Sequence, residues 1–244
     1  MASEQERLAG RVAVITGAGS GVGRATAISL AGQSATVGLI GRRMDALDET
    51  ASIVRDAGGR AVVASADVSQ EREVQRAIDD IATAAGGIDV LICAAGVGLY
   101  GAIESYSLED WQTTLTTNLS GVFLLSRAVL PAMKARGGGA IIAIGSGAGK
   151  QGYANLAAYS ASKFGLIGFM ESLAAEVGEH GIKVSTVIPG SILTDFGGRS
   201  AAEKERQRSE GRKYLDVEDV AQAISFLIAQ SDGAWTQELN LWPF

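Results

Sequence analysis

Seven short runs of largely apolar residues, most of them rich in valine and isoleucine, recur along the chain and predict β-strands. They are Val12–Thr16, Thr36–Ile40, Ala61–Ser65, Val90–Cys93, Ala140–Ile144, Val184–Ile188 and Glu238–Leu241. Within most runs the apolar residues are nearly continuous instead of alternating with polar ones. This pattern is typical of strands that are covered on both faces, as in a parallel sheet.

Longer amphipathic stretches separate these runs and predict helices. They are Arg24–Gly32, Arg43–Ala57, Glu71–Ala85, Leu108–Ala135, Ala158–Gly178 and Val217–Ala229. The alternation predicts right-handed crossovers and a doubly wound, Rossmann-type α/β fold, a parallel sheet of about seven strands with helices on both faces. No linker composition is visible, so we expect a single domain over residues 1–244, with residues 1–9 as a flexible tail.

Composition narrows the possible functions. The net charge of −6 argues against a nucleic-acid partner, which would require a basic surface to meet phosphates. Cys93 is the only cysteine and His180 the only histidine, which leaves no disulfide framework and predicts no metal site. The first residues are polar and no long apolar run occurs, so we expect no signal peptide, no membrane span and a cytoplasmic location.

A glycine-rich turn follows the first predicted strand and leads directly into a helix. Ligands of doubly wound folds bind beyond the carboxyl ends of the strands, and glycines let a pyrophosphate approach the helix N-terminus. The spacing is G-x-x-x-G-x-G, which differs from the general dinucleotide fingerprint G-x-G-x-x-G. The predicted cofactor contacts are Gly17, Gly19, Ser20, Gly21, Val22 and Gly23.

Two arginines, Arg42 and Arg43, follow the second predicted strand. A carboxylate here would bind the ribose hydroxyls and favour NAD, whereas guanidinium groups suit the 2′-phosphate of NADP. Arginines also commonly occupy a solvated helix start. Because no acidic residue is present at the strand end, we interpret the pair as favouring NADP(H) over NAD(H).

Ser146, Tyr159 and Lys163 form a candidate catalytic group. Tyr159 and Lys163 are four residues apart and share a face if the segment is helical. A nearby ammonium favours the phenolate, so we expect the pKa of Tyr159 to fall towards the working range of an acid/base catalyst. The Tyr-x-x-x-Lys pattern alone is short and common. It gains weight from Ser146 after a strand, from the glycine turn and from the Pro189-Gly190 break.

Together these motifs closely resemble the short-chain dehydrogenase/reductase family, from about Arg11 to Leu241. The matching elements are Thr-Gly-x-x-x-Gly-x-Gly, Asp67-Val68, Ala95-Gly96, Asn118, Ser146, Tyr159-x-x-x-Lys163, Pro189-Gly190 and Thr194. The resemblance implies that Tyr159 transfers a proton, that Lys163 lowers the pKa of Tyr159 and binds the nicotinamide ribose, and that Ser146 orients the substrate oxygen. It also implies that Asn118 holds a water linking Lys163 to solvent.

The resemblance further implies a set of cofactor contacts along the strand ends. Asp67 and Val68 are expected to flank the adenine. The remaining contacts are Ala94, Ala95, Gly96, Tyr159, Lys163, Ile188, Pro189, Gly190, Ile192 and Thr194.

Two departures from the family pattern stand out. Cys93-Ala94-Ala95-Gly96 replaces the usual Asn-Asn-Ala-Gly, whose amides tie neighbouring strands to the cofactor region, so looser cofactor support is implied. Cys93 itself is expected to pack as a small apolar residue. The ending Leu239–Phe244 replaces an Asp-Gly-Gly segment and is closer to relatives that act on hydroxy acids and small carbonyls.

Residues 195–213 are predicted to form a lid over the substrate, with Gly197-Gly198 as a hinge. Basic side chains outnumber acidic ones in this segment, which suits an acidic substrate such as a carboxylate or an acyl-carrier-protein thioester. A solvated helix of mixed charge explains the same composition. Leu99, Tyr100, Tyr153 and Phe196 are candidate pocket walls.

The sequence therefore predicts an NADP(H)-dependent oxidoreductase that interconverts a ketone or aldehyde and an alcohol. A 3-oxoacyl-thioester reductase and a small hydroxy-acid or carbonyl reductase are the two substrate hypotheses. A non-catalytic NADP-binding sensor or scaffold is the alternative, although Asn118, Ser146, Tyr159 and Lys163 are all present. A cofactor-free halohydrin dehalogenase fits less well, because such enzymes replace the lysine with arginine. The resemblance also implies a homo-oligomer, a tetramer or dimer.

Overall fold

The apolar runs form one parallel sheet of seven strands in the computed structural model, which describes residues 8–244. The strands are β1 (Val12–Thr16), β2 (Thr36–Gly41), β3 (Arg60–Ser65), β4 (Val90–Cys93), β5 (Gly139–Ile144), β6 (Ile182–Pro189) and β7 (Glu238–Leu241). Their order across the sheet is β3-β2-β1-β4-β5-β6-β7, and every neighbouring pair is parallel. The predicted doubly wound, Rossmann-type α/β fold is confirmed.

Helices cover both faces of this sheet. They are α1 (Gly21–Ala31), α2 (Met44–Asp56), α3 (Glu71–Ala85), α4 (Leu108–Leu115), α5 (Gly121–Ala135), α6 (Ala157–Val177), α7 (Ala201–Ser209) and α8 (Val217–Ile228). One core lies between the sheet and α3, α5 and α6, and the other lies between the sheet and α1, α2 and α8. In β1, Val14 enters the first core and Ile15 the second, because successive side chains point to opposite faces. The strands are therefore apolar on both sides.

Strand order reverses between β1 and β4. The chain builds outwards through β2 and β3 and then returns to place β4 on the other side of β1. At such a switch point the loops that follow the two strands diverge and leave a crevice beyond their carboxyl ends. The glycine turn after β1 and the segment Ala94–Gly96 after β4 border this crevice, so the fold brings two predicted cofactor segments together.

Two local predictions differ from the structure. The predicted helix Leu108–Ala135 is divided by a π-helical turn at Thr116–Ser120, which separates α4 from α5. Such single wide turns are frequent at functional sites, and this one carries Asn118. Leu8 was expected in a flexible tail, but it is only 4% exposed and its N–H donates to the carbonyl of Gln33. The rest of the predicted tail, residues 1–7, lies outside the described residues.

The segment predicted as a lid contains a helix, α7, that begins at a capping box formed by Ser200 and Glu203. α7 is polar over most of its surface, in agreement with the mixed-charge helix considered as an alternative. Across residues 8–244, no helix is both long enough and apolar enough to cross a membrane.

Candidate active site

The glycine turn forms a cradle at the beginning of α1. Gly17 has a φ of +67° and Gly21 one of +50°, values that residues with a side chain rarely adopt. A Cβ atom on Gly17 would lie 3.0 Å from the backbone of Ala95, and one on Gly23 would collide with the carbonyl oxygen of Gly17. The side chain of Ser20 makes no capping hydrogen bond to α1, and the first residues of this helix line the cavity, where the free N–H groups of a helix N-terminus suit an anion.

Thr16 joins the end of β1 to the segment that follows β4. Its side chain is fully buried, and its hydroxyl oxygen accepts hydrogen bonds of 3.1 Å from the N–H groups of both Ala94 and Ala95. The same hydroxyl donates to the carbonyl of Ile92 at 3.4 Å. The ends of β1 and β4 are therefore joined through one threonine. A polar residue ending an apolar strand was the available sequence signal.

Arg24 lines the cavity and supports the glycine turn through its guanidinium group. It donates to the carbonyl of Gly19 at 2.8 Å, to the hydroxyl of Thr50 at 3.1 Å and to the carboxylate of Glu49 at 2.7 Å. Thr50 in turn donates to the carbonyl of Ala18 at 2.9 Å. These bonds link α1 and α2 to the turn. Sequence reasoning assigned no role to Arg24 or Thr50, because their partners are visible only once α2 is packed.

The predicted adenine end gathers Arg42 and Asp67 at the carboxyl ends of β2 and β3. A guanidinium nitrogen of Arg42 lies 4.0 Å from a carboxylate oxygen of Asp67, and the Arg42 side chain remains 70% exposed. Asp67 also accepts hydrogen bonds of 2.9 and 2.8 Å from the N–H and hydroxyl of Ser69. Arg43 immediately precedes α2. An exposed ion pair at this distance contributes little, so Arg42 remains available to a phosphate.

Ser146, Tyr159 and Lys163 line one cavity of about 1330 Å³, which also includes residues of the glycine turn. Ser146 follows β5 and accepts a hydrogen bond of 3.1 Å from the N–H of Ala148. Tyr159 and Lys163 occupy the first two turns of α6 and are 8% and 6% exposed. The Lys163 ammonium donates to the carbonyl of Ile144 at 2.7 Å and lies 5.7 Å from the centre of the Tyr159 ring.

Burial dominates the ionisation of both side chains. It raises the pKa of Tyr159 well above its ordinary value, the negative field of Tyr100 adds to the rise, and a hydrogen bond with Ser146 opposes it. Burial also lowers the pKa of Lys163 to about 8. The expected fall in the pKa of Tyr159 is therefore wrong for this geometry, because burial removes the water that would stabilise the phenolate, and this raises the pKa more than the hydrogen bond with Ser146 lowers it.

Asn118 joins the loop after β4 to α6. Its amide oxygen accepts a hydrogen bond of 2.8 Å from the N–H of Val97, and its amide nitrogen donates to the carbonyl of Val97 at 2.9 Å and to Ser162 at 3.2 Å. Ser162 donates to the carbonyl of Tyr159 at 2.7 Å. Both amide hydrogens are thus occupied, so the side chain positions the turn that carries Tyr159. The water implied by the resemblance stays a prediction.

Aromatic side chains surround Tyr159. The ring centres of Tyr100 and Phe196 lie 5.7 and 5.8 Å from that of Tyr159, and Tyr153 lines the same cavity. Leu99 was also expected as a wall, but it is absent from the cavity lining, and its carbonyl instead accepts a hydrogen bond of 2.8 Å from Tyr106.

Trp242 is a further wall that the sequence did not identify. A Cβ on Gly147 would lie 2.8 Å from its indole ring, and one on Gly190 would lie 3.0 Å from it. Trp242 follows β7, whose pairing with β6 brings the chain end beside the cavity. The unusual ending of the chain was the sequence signal, but its position depends on the sheet order.

The predicted nicotinamide end lies where β6 leaves the sheet. Gly190 donates its N–H to the carbonyl of Leu241 at 2.8 Å, and Ile192 forms an isolated parallel bridge with Leu215. A Cβ on Gly21 would lie 3.4 Å from the methyl group of Thr194, so the loop after β6 closes against the glycine turn. Pro189 ends β6 and lines the cavity with Gly190, Ile192 and Thr194.

The basic residues of the predicted lid are partly paired within the chain. Arg208 forms an ion pair of 2.8 Å with Asp216, and the guanidinium of Arg212 lies 5.5 Å from the centre of the Tyr214 ring. Of the lid arginines, Arg199 and Arg212 line the cavity. In residues 8–244, no group of three or more His, Cys, Asp and Glu side chains is arranged to hold a metal ion.

Comparison with known proteins identifies the family. The sequence profile described as short chain dehydrogenase matches residues 11–205, and the chain belongs to the short-chain dehydrogenase/reductase family. D-threitol dehydrogenase of Mycolicibacterium smegmatis is 39% identical over 191 residues, which are 78% of this chain and 74% of that protein. Glycine betaine reductase ATRR of Emericella nidulans is 34% identical over 97% of this chain, but the match spans only 19% of that larger protein.

Solved structures agree with this assignment. A metagenomic short-chain oxidoreductase in complex with NADP has a TM-score of 0.85 and 34% identity, with 98% of this chain and 99% of that chain covered. Carveol dehydrogenase from Mycobacterium avium in complex with NAD has a TM-score of 0.87 and 28% identity, with 97% and 98% covered. The chain is an NAD(P)-dependent oxidoreductase that acts on CH–OH groups. The glycine turn is compatible with this cofactor, since a side chain at Gly17 or Gly23 would press against neighbouring backbone and change the shape of the turn.

Proposed function

We propose that the chain is an NADP(H)-dependent oxidoreductase that interconverts a ketone and a secondary alcohol, with Tyr159 as the acid/base. The observation that carries the proposal is the convergence of Ser146, Tyr159 and Lys163 on the cavity that the glycine turn also lines. A bound nicotinamide would supply or accept the hydride, and the protein would supply position and electrostatics.

The protonation states suit reduction of a carbonyl. Because burial raises the pKa of Tyr159, its hydroxyl carries a proton at neutral pH and can donate it to the carbonyl oxygen. The hydroxyl of Ser146 orients that oxygen. Negative charge then develops on Tyr159, where the ammonium of Lys163 and the hydroxyl of Ser146 stabilise it. In alcohol oxidation the same groups act in reverse.

Arg42 and Arg43 support a preference for NADP(H). The carboxyl end of β2 continues into these two arginines, and no acidic side chain occupies either position. Arg42 is largely exposed beside the predicted adenine contact Asp67, where a 2′-phosphate would accept its hydrogen bonds. The solved relatives include one with NADP and one with NAD, so the arginines and not the family carry this part of the proposal.

The cavity walls favour a small ketone with an apolar substituent. Tyr100 and Phe196 lie beside Tyr159, Tyr153 and Trp242 line the same cavity, and aromatic walls gain most from burying apolar surface. A 3-oxoacyl thioester on an acidic carrier is the second candidate, because the cationic Arg199 and Arg212 also line the cavity.

A carbonyl panel assayed with NADPH and NADH tests the reaction. The panel contains aliphatic and aryl ketones, 2-oxo acids and a 3-oxoacyl thioester. Tyr159→Phe should lose roughly 10²- to 10⁴-fold of kcat, because the proton donor is removed, while NADPH binding measured by fluorescence is kept. Normal turnover by that variant would contradict the role of Tyr159. Tight NADPH binding without turnover of any carbonyl would instead support the sensor or scaffold alternative.

The double variant Arg42→Ala/Arg43→Ala tests the cofactor preference in the same assay. We expect kcat/KM for NADPH to fall about tenfold or more, since charge-assisted hydrogen bonds to the phosphate are lost, with NADH little changed. Arg76→Ala/Lys134→Ala is the matched control, because it removes two charges from exposed helix positions. Equal losses with NADPH and NADH would contradict a phosphate-binding role.

A further inference from the structure

Three carbonyl groups of the loop after β6 converge on the ammonium of Lys204. The nitrogen lies 2.6 Å from the carbonyl oxygen of Thr194, 2.8 Å from that of Phe196 and 3.3 Å from that of Ile192. An ammonium has three hydrogens to donate, so these acceptors match its full donor capacity. The loop's backbone thus forms a small cage around one side chain.

Lys204 is unusual among the residues of α7. It is 9% exposed and is the buried residue of this helix, whose other side chains include several exposed charges. A buried lysine is normally paired with a carboxylate, because burying an unpaired charge is costly. No described carboxylate lies within ion-pair distance of Lys204, and backbone carbonyls take that place.

The loop that surrounds the Lys204 ammonium contacts both the glycine turn and the aromatic wall beside Tyr159. The methyl group of Thr194 faces Gly21 of the glycine turn, and the ring of Phe196 lies 5.8 Å from that of Tyr159. Gly197 follows with a φ of +81°, and a Cβ there would lie 2.7 Å from the ring of Tyr100. The loop therefore lies tightly against the site, and the two glycines after Phe196 provide the turn that leads into α7.

We propose that Lys204 is a positioning residue that holds the loop from Ile192 to Phe196 closed over the cavity. By fixing three carbonyls at once, it sets Thr194 against the glycine turn and Phe196 against Tyr159. Because the bonds go to the backbone, the clamp does not depend on which side chains the loop carries. Its effect on turnover rests on the proposed function, whereas its effect on loop order does not.

Hydrogen exchange of the loop tests this directly in the full-length protein. We compare the wild type with Lys204→Met, which keeps the length and apolar stem, and Lys204→Arg, which keeps a charged donor. Lys213→Met is the matched control, because Lys213 is an exposed lysine of the same segment. The N–H of Leu193, bonded to the carbonyl of Leu215 at 2.9 Å, is a reporter within the loop.

In Lys204→Met we expect exchange across residues 192–197 to rise about tenfold or more, corresponding to ~1.4 kcal/mol or more of lost loop stability. Strands β1 and β5 should keep wild-type protection. Lys204→Arg should restore part of the loop's protection, and Lys213→Met should match the wild type. With a substrate from the panel, KM for that carbonyl should rise severalfold in Lys204→Met.

Wild-type exchange in the loop of Lys204→Met would overturn the proposal. So would a rise that Lys213→Met reproduces. If Lys204→Met loses protection throughout the sheet, the exchange of Lys204→Arg decides the question. Faster exchange in the loop alone supports the positioning role of Lys204. Faster exchange throughout the sheet, or wild-type exchange in the loop, overturns it. If no carbonyl of the panel is reduced, the proposed function fails, but the exchange result still decides the role of Lys204.

Discussion

Two loops line the cavity, and they are built differently. The glycine turn Gly17–Gly23 takes its shape from the backbone: positive φ angles, close approach to Ala95 and the beginning of α1. The loop Ile192–Phe196 takes its shape from side chains that lie elsewhere, chiefly the ammonium of Lys204 and the ring of Tyr100. The conformation of the glycine turn is thus set by its own residues, whereas the conformation of the loop Ile192–Phe196 depends on side chains outside the loop.

This difference predicts whether a substitution in each loop should affect cofactor binding or substrate binding. A backbone-determined cradle binds a constant group, so changes there should affect the cofactor first. The loop held by side-chain contacts places Phe196 beside Tyr159, so changes at Phe196 should affect the substrate first. Three predictions test this division, and the first concerns Lys163, which lines the same cavity as both loops.

Lys163→Met should lose roughly 10²- to 10⁴-fold of kcat, the largest effect expected, because no cation then stabilises the developing phenolate. The pKa of Lys163 is lowered to about 8, so the side chain is charged below that pH and neutral above it. Carbonyl reduction by the wild type should therefore fall as the pH rises through about 8. The measurement is kcat/KM against pH.

Lys163→Arg is the control for this pH dependence. A guanidinium stays charged over the accessible pH range, so the fall near pH 8 should disappear even if the overall rate is reduced. An unchanged alkaline fall in Lys163→Arg would show that another group titrates there.

Gly23→Ala should weaken NADPH binding about tenfold or more. The added Cβ would collide with the carbonyl oxygen of Gly17, so the turn must shift, at a cost of roughly 1–3 kcal/mol. Isothermal titration with NADPH measures the loss. Gly168→Ala is the matched control, because nothing lies within 4 Å of its added Cβ and alanine favours the helix. Unchanged NADPH affinity in Gly23→Ala would mean that the cradle is less constrained than its geometry indicates.

The same division explains what the sequence predicted well. The strands of the structure overlap all seven predicted runs, and most bounds agree within a residue or two, because apolar runs covered on both faces are a local signal. The order of motifs after the strands also brought Ser146, Tyr159 and Lys163 to one cavity. These features depend on spacing along the chain and on the rule that strand ends meet at one edge of the sheet.

What the sequence missed depends on contacts between distant segments. Thr16 binding Ala94 and Ala95, Trp242 beside Gly190 and Lys204 within its cage have no local pattern. The π-helical turn at Asn118 was also hidden, because it adds one residue to an otherwise continuous helical pattern.

The pKa of Tyr159 is raised, whereas the sequence predicted that it is lowered, and the cause again lies in tertiary packing. The rise comes chiefly from the depth of burial, which follows from packing and not from spacing along the chain.

Phe196→Ala should have the smallest effect. It also tests most directly whether the two loops act separately on cofactor and substrate binding. Its ring contributes an aromatic contact with Tyr159 at 5.8 Å, worth roughly 0.5–1.5 kcal/mol, so KM for an apolar ketone should rise about 2- to 10-fold. NADPH affinity should stay within about twofold, because the glycine turn is untouched. Phe226→Ala, which removes a 56% exposed ring on α8, should change neither value. If Phe196→Ala weakens NADPH binding as much as Gly23→Ala does, the two loops act as one unit, and cofactor and substrate binding are coupled through the closure that Lys204 maintains.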